Sequence, residues 1–173
     1  MEYNMNNSKV ISSFTGKYWF LSNYYLQKRM PIEINGLQFT SGEAAFQCGK
    51  IYMPDGSYDE VKETLFTIYD PNLAKRLGRK VNIRPDWEVV KDARMLDVIR
   101  AKFKHKKLRH MLLGTGTAIL IEGNHWHDNY WGDCNCPECR NIKGLNHLGQ
   151  ILMKVREEIR SEEEAKRNVN IEE

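Results

Sequence analysis

Two apolar stripes at helical spacing constrain this chain more than any other feature in it. Met95, Val98, Ile99 and Phe103 form one; Leu148, Leu152, Val155 and Ile159 form the other. Residues three and four apart share a helix face, so each stripe must bury one side of a helix against another element. The spacing predicts a helix opened by Pro85, the longest of the chain, and a last helix from about Asn146 to Arg160. Shorter helices are expected around Asp59–Phe66, from Asp70-Pro71 to about Leu77, where a cap precedes Pro at the first helical position, and from Lys107 to Leu113, stopped by Gly114.

Strand signals are fewer. Pro31–Phe39 reads as a hairpin around Asn35-Gly36, the preferred two-residue turn because both central residues reach positive φ. Ala118–Glu122 is a short buried strand candidate. Thr40-Ser41-Gly42-Glu43 carries capping-box spacing and opens a further helix. The expectation is a predominantly α-helical α+β fold, a compact single domain with a small β-sheet or hairpin. Residues 1–13 are expected to be an N-terminal extension, 14–160 the folded domain, and 161–173 a charged, frayed or disordered tail.

Hydrophobic residues make up 41% of the 173 and charged residues 28%, a globular balance with no apolar run near the roughly 20 residues of a membrane helix. Met1–Ser13 has no signal-peptide pattern, so a cytoplasmic setting without membrane partners is the default. A net charge of +3 does not announce a nucleic-acid binder. Two local clusters could still meet phosphates: Lys75, Arg76, Arg79, Lys80 and Arg84, and Lys102, Lys104, Lys106, Lys107 and Arg109. For the second, a solvated helix face is the simpler reading.

Chemistry-bearing residues concentrate in three places. Asn124–Asp133 holds two Trp, one Tyr, two His and two Asp in ten residues, a mixture that a folding core does not need. Rings able to stack on a flat ligand lie beside carboxylates able to do acid–base work, and Asp128 and Asp133 are candidates to assist a leaving base. Glu43, Phe46, Gln47 and Lys50 stand at i, i+3, i+4 and i+7, one helix face. Glu43 alone is explained as the third residue of a capping box, and Lys50 as a side chain reaching for solvent. Together they suit chemistry at a ribose C1, where a carboxylate stabilises developing positive charge and a neutral amine can form a Schiff base with the opened sugar. Trp87 reads as core or as a stacking platform.

Cys134, Cys136 and Cys139 form C-x-C-x2-C. With a fourth ligand from His127, His147 or Cys48 they could hold a structural zinc. A lone cluster does not establish that, so no metal and no cofactor are assigned. The free amides at the helix start around Asn146 could receive a phosphate, although a cap with close packing at Gly149 is the plainer reading.

Taken together, these pieces resemble the NADAR (NAD- and ADP-ribose-associated) family, which includes the YbiA-like N-glycosidases. The matching segments are Phe14-x-Gly16-x-Tyr18-x-Phe20-Leu21-Ser22-Asn23, Ser41-Gly42-Glu43-Ala-Ala-Phe46-Gln47-x-x-Lys50, Ala74–Arg79, Arg84–Trp87 and Ala101–Phe103. They continue with Leu120–Asn124, Tyr130–Gly132, Gly144-x-Asn146-x-Leu148-Gly149 and Leu152-Met153-x-x-Arg156. They span about Phe14 to Arg160 in order. Where the family often has Ser-Val-Glu or Ser-Glu at the helix start, this chain has Ser41-Gly42-Glu43.

The resemblance implies a compact, mostly helical hydrolase that cleaves N-glycosidic bonds of ribosylated bases. Removal of ADP-ribose from guanine in DNA or RNA is the leading expectation. A phosphoribosyl-aminopyrimidine of riboflavin biosynthesis is the alternative substrate, and a non-catalytic, zinc-stabilised nucleic-acid-binding module the alternative class. By position, the resemblance makes Glu43, Lys50 and Asp128 catalytic candidates. It makes Asn23, Gln47, Arg79, Trp87, Trp131, Gly132 and Asn146 candidates for holding substrate.

Overall fold

The computed structural model describes residues 9–169. In chain order the elements are β1 (Val10–Ile11), a 3₁₀ turn (Gly16–Leu21), β2 (Ile32–Ile34), β3 (Leu37–Phe39) and α1 (Gly42–Cys48). A second 3₁₀ turn (Gly49–Ile51) precedes α2 (Glu60–Ile68), α3 (Pro71–Gly78), α4 (Trp87–Lys102) and α5 (Lys106–Leu113). β4 (Ile119–Leu120), β5 (Gly123–Asn124), β6 (Asp133–Cys134) and α6 (His147–Val169) complete the order. The chain divides into two compact units: residues up to Leu21 with those from Arg109 onward, and the intervening Ser22–Leu108. No described helix is long and apolar enough to cross a membrane.

The intervening unit is built around α1, whose seven residues are all buried. Helices α2, α3 and α4 and the β2–β3 hairpin all pack against it. The hairpin forms as its sequence requires: Ile34 pairs with Leu37, leaving Asn35 (φ 52°) and Gly36 (φ 79°) to make the turn. Asp59 caps α2 and Asp70 caps α3, each accepting a backbone N–H three residues on. The Met95, Val98, Ile99 and Phe103 stripe is buried as expected.

Three local expectations change here. The cap of α1 is Ser41, whose Oγ accepts from Ala44 N–H at 3.2 Å, while Thr40 donates its hydroxyl to Tyr69 O. Glu43 is therefore the second helical residue, not the capping-box acid. Helix α4 begins at Trp87, because the Asp86 carboxylate takes a two-pronged bond from Arg84 (2.6 and 2.8 Å) in place of capping the helix. Lys102 is not on a solvated face: it is fully buried, its ammonium donating to Ser22 O at 2.7 Å and lying over the Tyr25 and Phe103 rings.

In the other unit β1 pairs in parallel with β4, so residues 10–11 belong to the fold and not to an extension. Residues 1–8 lie outside the described part. Helix α6 packs on β4 through Leu148, Leu152, Val155 and Ile159, all buried. Arg156, 3% exposed, donates to Thr115 Oγ1 (2.8 Å) and Ala118 O (2.9 Å), tying the helix to the segment entering β4. At 23 residues α6, not α4, is the longest helix, and it continues through residues 161–169 where a frayed tail is expected from composition. Arg109 explains this: it pairs with Glu162 and Glu163 at 3.0 Å each, on a stretch of good helix formers. Residues 170–173 lie outside the described part.

Gly149 fixes how closely α6 approaches β4. A Cβ there would sit 2.1 Å from the Leu120 carbonyl oxygen, a backbone atom. In an unconstrained helix Gly→Ala stabilises by about 1 kcal/mol. Here Gly149→Ala is expected to destabilise instead, by about 2 kcal/mol, the usual cost of an overpacked core. A lowered denaturant midpoint at unchanged m-value checks it.

A candidate active site around a buried glutamate

A helix buried on all sides has no solvent face on which to place polar residues, yet α1 carries Glu43 (7% exposed) and Gln47 (6%). Gln47 Nε2 donates to Glu43 Oε1 at 2.9 Å, one helical turn apart. The Glu43 backbone N–H is held by Asn23 O at 2.9 Å, and the nearby Asn23 side chain favours the charged carboxylate. Burial is the dominant influence on this acid and pushes its pKa above the usual carboxylate range; the bond from Gln47, the charges of Lys75 and Lys50 and the Asn23 side chain oppose it.

Close approach of α3 makes this possible. A Cβ on Gly78 would lie 1.9 Å from Gln47 Oε1, so only glycine lets α3 pass there. The carbonyl of the same residue accepts from Lys50 Nζ at 3.2 Å. Lys50 stands on the 3₁₀ turn that continues α1, its ammonium 5.8 Å from the centre of the Trp87 ring. Burial lowers the Lys50 pKa; Glu43 pulls it back up, while Arg79 and Lys75 lower it further. An acid and an amine, both pushed toward their neutral forms, thus share one site.

Tyr24 belongs to the same group, although nothing in the sequence singled it out beyond lying beside Asn23. Burial and the Glu43 charge push its phenol up to about 12, so it stays a donor. The Lys75 ammonium lies 5.6 Å from its ring centre. The sequence placed Lys75 in a basic cluster without linking it to Glu43; only the folding of α3 against α1 makes that connection. Trp87 is 7% exposed and packs on Phe46 at 5.1 Å, so its rings shape the surroundings of Lys50 and are not an open stacking platform. A cleft of about 390 Å³ bounded by Ile51, Met53, Tyr58 and Lys62 contains none of the paired groups, and its acid, Asp59, is bridged to Lys62 at 2.9 Å.

The remaining candidates lie in the other unit. Asp128 Oδ1 accepts from the backbone N–H groups of Tyr130 (3.1 Å) and Trp131 (2.8 Å), which makes Asp128 the organiser of the loop that carries Trp131. Asn124, 2% exposed, braces the same loop by donating to Asp128 O at 2.7 Å. Tyr130 stacks on His147 at 4.4 Å and meets Trp131 edge-on at 5.1 Å. Gly132 is where the chain passes the Glu122 carbonyl: a Cβ would come within 2.2 Å of it.

Asn146, a substrate-binding candidate, uses its side chain to hold backbone. Its Oδ1 accepts from Glu122 N–H (3.0 Å) and its Nδ2 donates to Leu120 O (2.8 Å), so both ends of the amide hold backbone. The helix start is not a free phosphate cradle either, since the amides of Asn146, His147 and Leu148 bond to the carbonyls of Gly132, Tyr130 and Trp131. The side chains of metal-ligand type that converge in the described chain are His127, Cys134, Cys136 and Cys139. His147 is committed to the aromatic stack. Cys48 lies by the Tyr52 hydroxyl, its thiol pushed up to about 11 by burial.

This arrangement has known relatives. The NADAR domain profile matches residues 11–160. N-glycosidase YbiA of Shigella boydii is 37% identical over 132 residues, covering 75% of this chain and 76% of the relative. Riboflavin biosynthesis protein VVA0006 of Vibrio vulnificus is 34% identical over 145 residues, 81% of this chain and 35% of that protein. The NMR structure of Escherichia coli YbiA superposes with a TM-score of 0.72 at 32% identity, covering 91% of this chain and 89% of that one. With the profile spanning nearly all the described residues and the YbiA-like α+β fold reproduced, this chain belongs to the NADAR domain family.

Proposed function

We propose that this chain is an N-glycosidase that hydrolyses the bond between a ribose C1 and a base, and that its preferred substrate is ADP-ribosylated guanine in DNA or RNA. The observation that carries the reading is the buried Glu43, bonded to Gln47 and set electrostatically against Lys50. Breaking a C1–N bond develops positive charge on C1 and the ring oxygen. A carboxylate fixed in a low-dielectric site stabilises that charge without having to reorganise, and can orient the attacking water.

Lys50 has two uses in this reading. As an ammonium it favours the ionised form of Glu43. In the neutral form that burial promotes, it can add to the aldehyde of the opened ribose, forming an imine with loss of water that a second water then hydrolyses. Exposed Arg79, with Lys75, gives the site the positive charge a diphosphate needs. The names of the N-glycosidase relatives support the reaction class. Asp128 and Trp131 remain in the proposal through the family pattern alone.

A smaller phosphoribosyl-aminopyrimidine substrate is the competing reading, favoured by the relatives named as riboflavin biosynthesis proteins. Rates measured side by side on ADP-ribosylguanosine and on that intermediate decide between them. Absence of turnover on both ends the enzyme reading.

Glu43→Gln is expected to lower kcat by roughly a hundredfold or more, the scale for removing one aligned transition-state stabiliser, in protein that still folds by circular dichroism. Lys50→Ala should abolish any covalent adduct trapped by borohydride during turnover. Full turnover in both variants would remove these residues from the chemistry.

The pH profile offers a separate check. If Glu43 acts ionised, kcat/KM rises with pH through a midpoint above the usual carboxylate range, because burial raises its pKa. Lys75→Met removes a charge that lowers this pKa, so the acidic limb should move to still higher pH. An unmoved or downward-shifted limb assigns it to another group.

A further inference from the structure

The loop between β5 and α6 has no ordinary core. Its buried cluster consists of Cys134, Cys136 and Cys139, with no aliphatic or aromatic member. Three thiols are too small to hold a segment of this length by apolar burial, and all are free. His127 completes the group: one ligand atom from each of the four residues lies within 4.8 Å of all the others. The imidazole Nδ1 stands 3.3 Å from Cys139 Sγ and 3.4 Å from Cys136 Sγ.

We propose that His127, Cys134, Cys136 and Cys139 form a tetrahedral structural zinc site. Zinc bonds of about 2.3 Å to sulfur and 2.0–2.1 Å to nitrogen, set at tetrahedral angles, separate the ligand atoms by roughly 3.5–3.8 Å. The two N···S spacings need only slight expansion to reach that, and the 4.8 Å bound on the whole group leaves only small adjustments for the rest. Three thiolates and one imidazole select zinc among divalent ions, whereas carboxylate and carbonyl sets suit magnesium or calcium.

The surroundings are built as a ligand shell requires. Glu138 places a carboxylate oxygen 3.8 Å from His127 Nε2, beyond hydrogen-bond length but on the ring nitrogen opposite the one facing the sulfurs, where a carboxylate would orient a metal-bound imidazole. The His127 backbone N–H donates to Cys134 Sγ at 3.3 Å, a bond that stabilises thiolate charge. Cys136-Pro137-Glu138-Cys139 is a tight turn in which the amides of Cys139 and Arg140 both reach Cys136 O. Cys134 is anchored by pairing with Asn124 across β5–β6 and by Asn129 Oδ1 on its amide. His127 adopts φ 66°, a left-handed conformation unusual for a residue with a side chain, which brings its ring to the three sulfurs.

Four protein ligands leave no open position, so the ion organises and does not catalyse. It closes residues 127–139 into a ring that contains Asp128, Tyr130, Trp131 and Gly132, supplying the core this loop lacks. The site stands independently of the substrate proposed above.

The test uses the full chain without an affinity tag, purified under reducing conditions, with metal measured by elemental analysis. One zinc per chain is expected. Cobalt replacement should give intense visible bands with a thiolate charge-transfer band in the near ultraviolet. Cys136→Ser and Cys139→Ser should lose the zinc, and Glu138→Gln should bind it about tenfold more weakly. Chelation of the wild-type protein should lower its melting temperature, and zinc should restore it. The chelation and cobalt experiments decide even if the cysteine variants fail to fold. Reduced, folded protein that holds no zinc and gives no cobalt spectrum overturns the proposal, as does a disulfide among these cysteines in metal-free protein of undiminished stability.

Discussion

The hydrogen bond between Gln47 and Glu43 is the contact on which the second unit's architecture turns. It lies inside α1, a helix whose seven residues are all buried, so both side chains must find most of their partners within the protein. A buried carboxylate is tolerated only if it is paired, hydrogen-bonded or neutralised. The fold uses all three means: the bond from Gln47, nearby cations, and a pKa moved upward. Each constrains its neighbours. Gln47 leaves room only for Gly78 on α3, and that passage of α3 brings Lys75 near Tyr24 and a carbonyl to Lys50. The electrostatics of the site thus follow from the packing of three short helices.

Much of the framework could be read from residue order, and the reasons are local. The Asn35-Gly36 turn, the Asp59 and Asp70 caps and the two apolar stripes depend on neighbours within a few positions, and each forms where expected. The differences arise where a competing partner, near or distant in sequence, takes a group that would otherwise act in a local pattern. Arg84 takes Asp86 away from capping α4, Tyr69 takes the Thr40 hydroxyl, and Arg109 on α5 extends α6 through Glu162 and Glu163. Composition marked residues 161–173 as tail because such pairings are invisible along the chain.

The site was legible to a similar depth. Spacing put Glu43, Gln47 and Lys50 on one face, and folding keeps them together, but the capping-box explanation for Glu43 failed on a one-residue shift of the cap to Ser41. Tyr24 gave no signal because its role depends on burial beside Glu43, a tertiary property. The structural part that Asn146 plays was equally hidden in the sequence. A polar residue at a helix start looks available for ligand, and only the positions of the Leu120 and Glu122 backbones show that its amide is already committed.

Buried cations sharpen the distinction between structural and chemical roles. Lys102 and Arg156 are each almost wholly enclosed, and both discharge their donors onto backbone carbonyls that the fold presents: Ser22 O for the first, Ala118 O for the second. Such groups cannot be moved without stranding a carbonyl, which suits a clamp and not a reagent. Lys50 is different in kind. Its enclosure is partial, its bond to Gly78 O is longer at 3.2 Å, and its other companion is the face of Trp87. A ring face attracts an ammonium but neither accepts a localised hydrogen bond nor loses one when the proton leaves. An amine held this way can change protonation state at modest cost while the helices around it stay in place. Lys102 also lies over ring faces, so what separates Lys50 from it is the partial enclosure and the longer carbonyl bond.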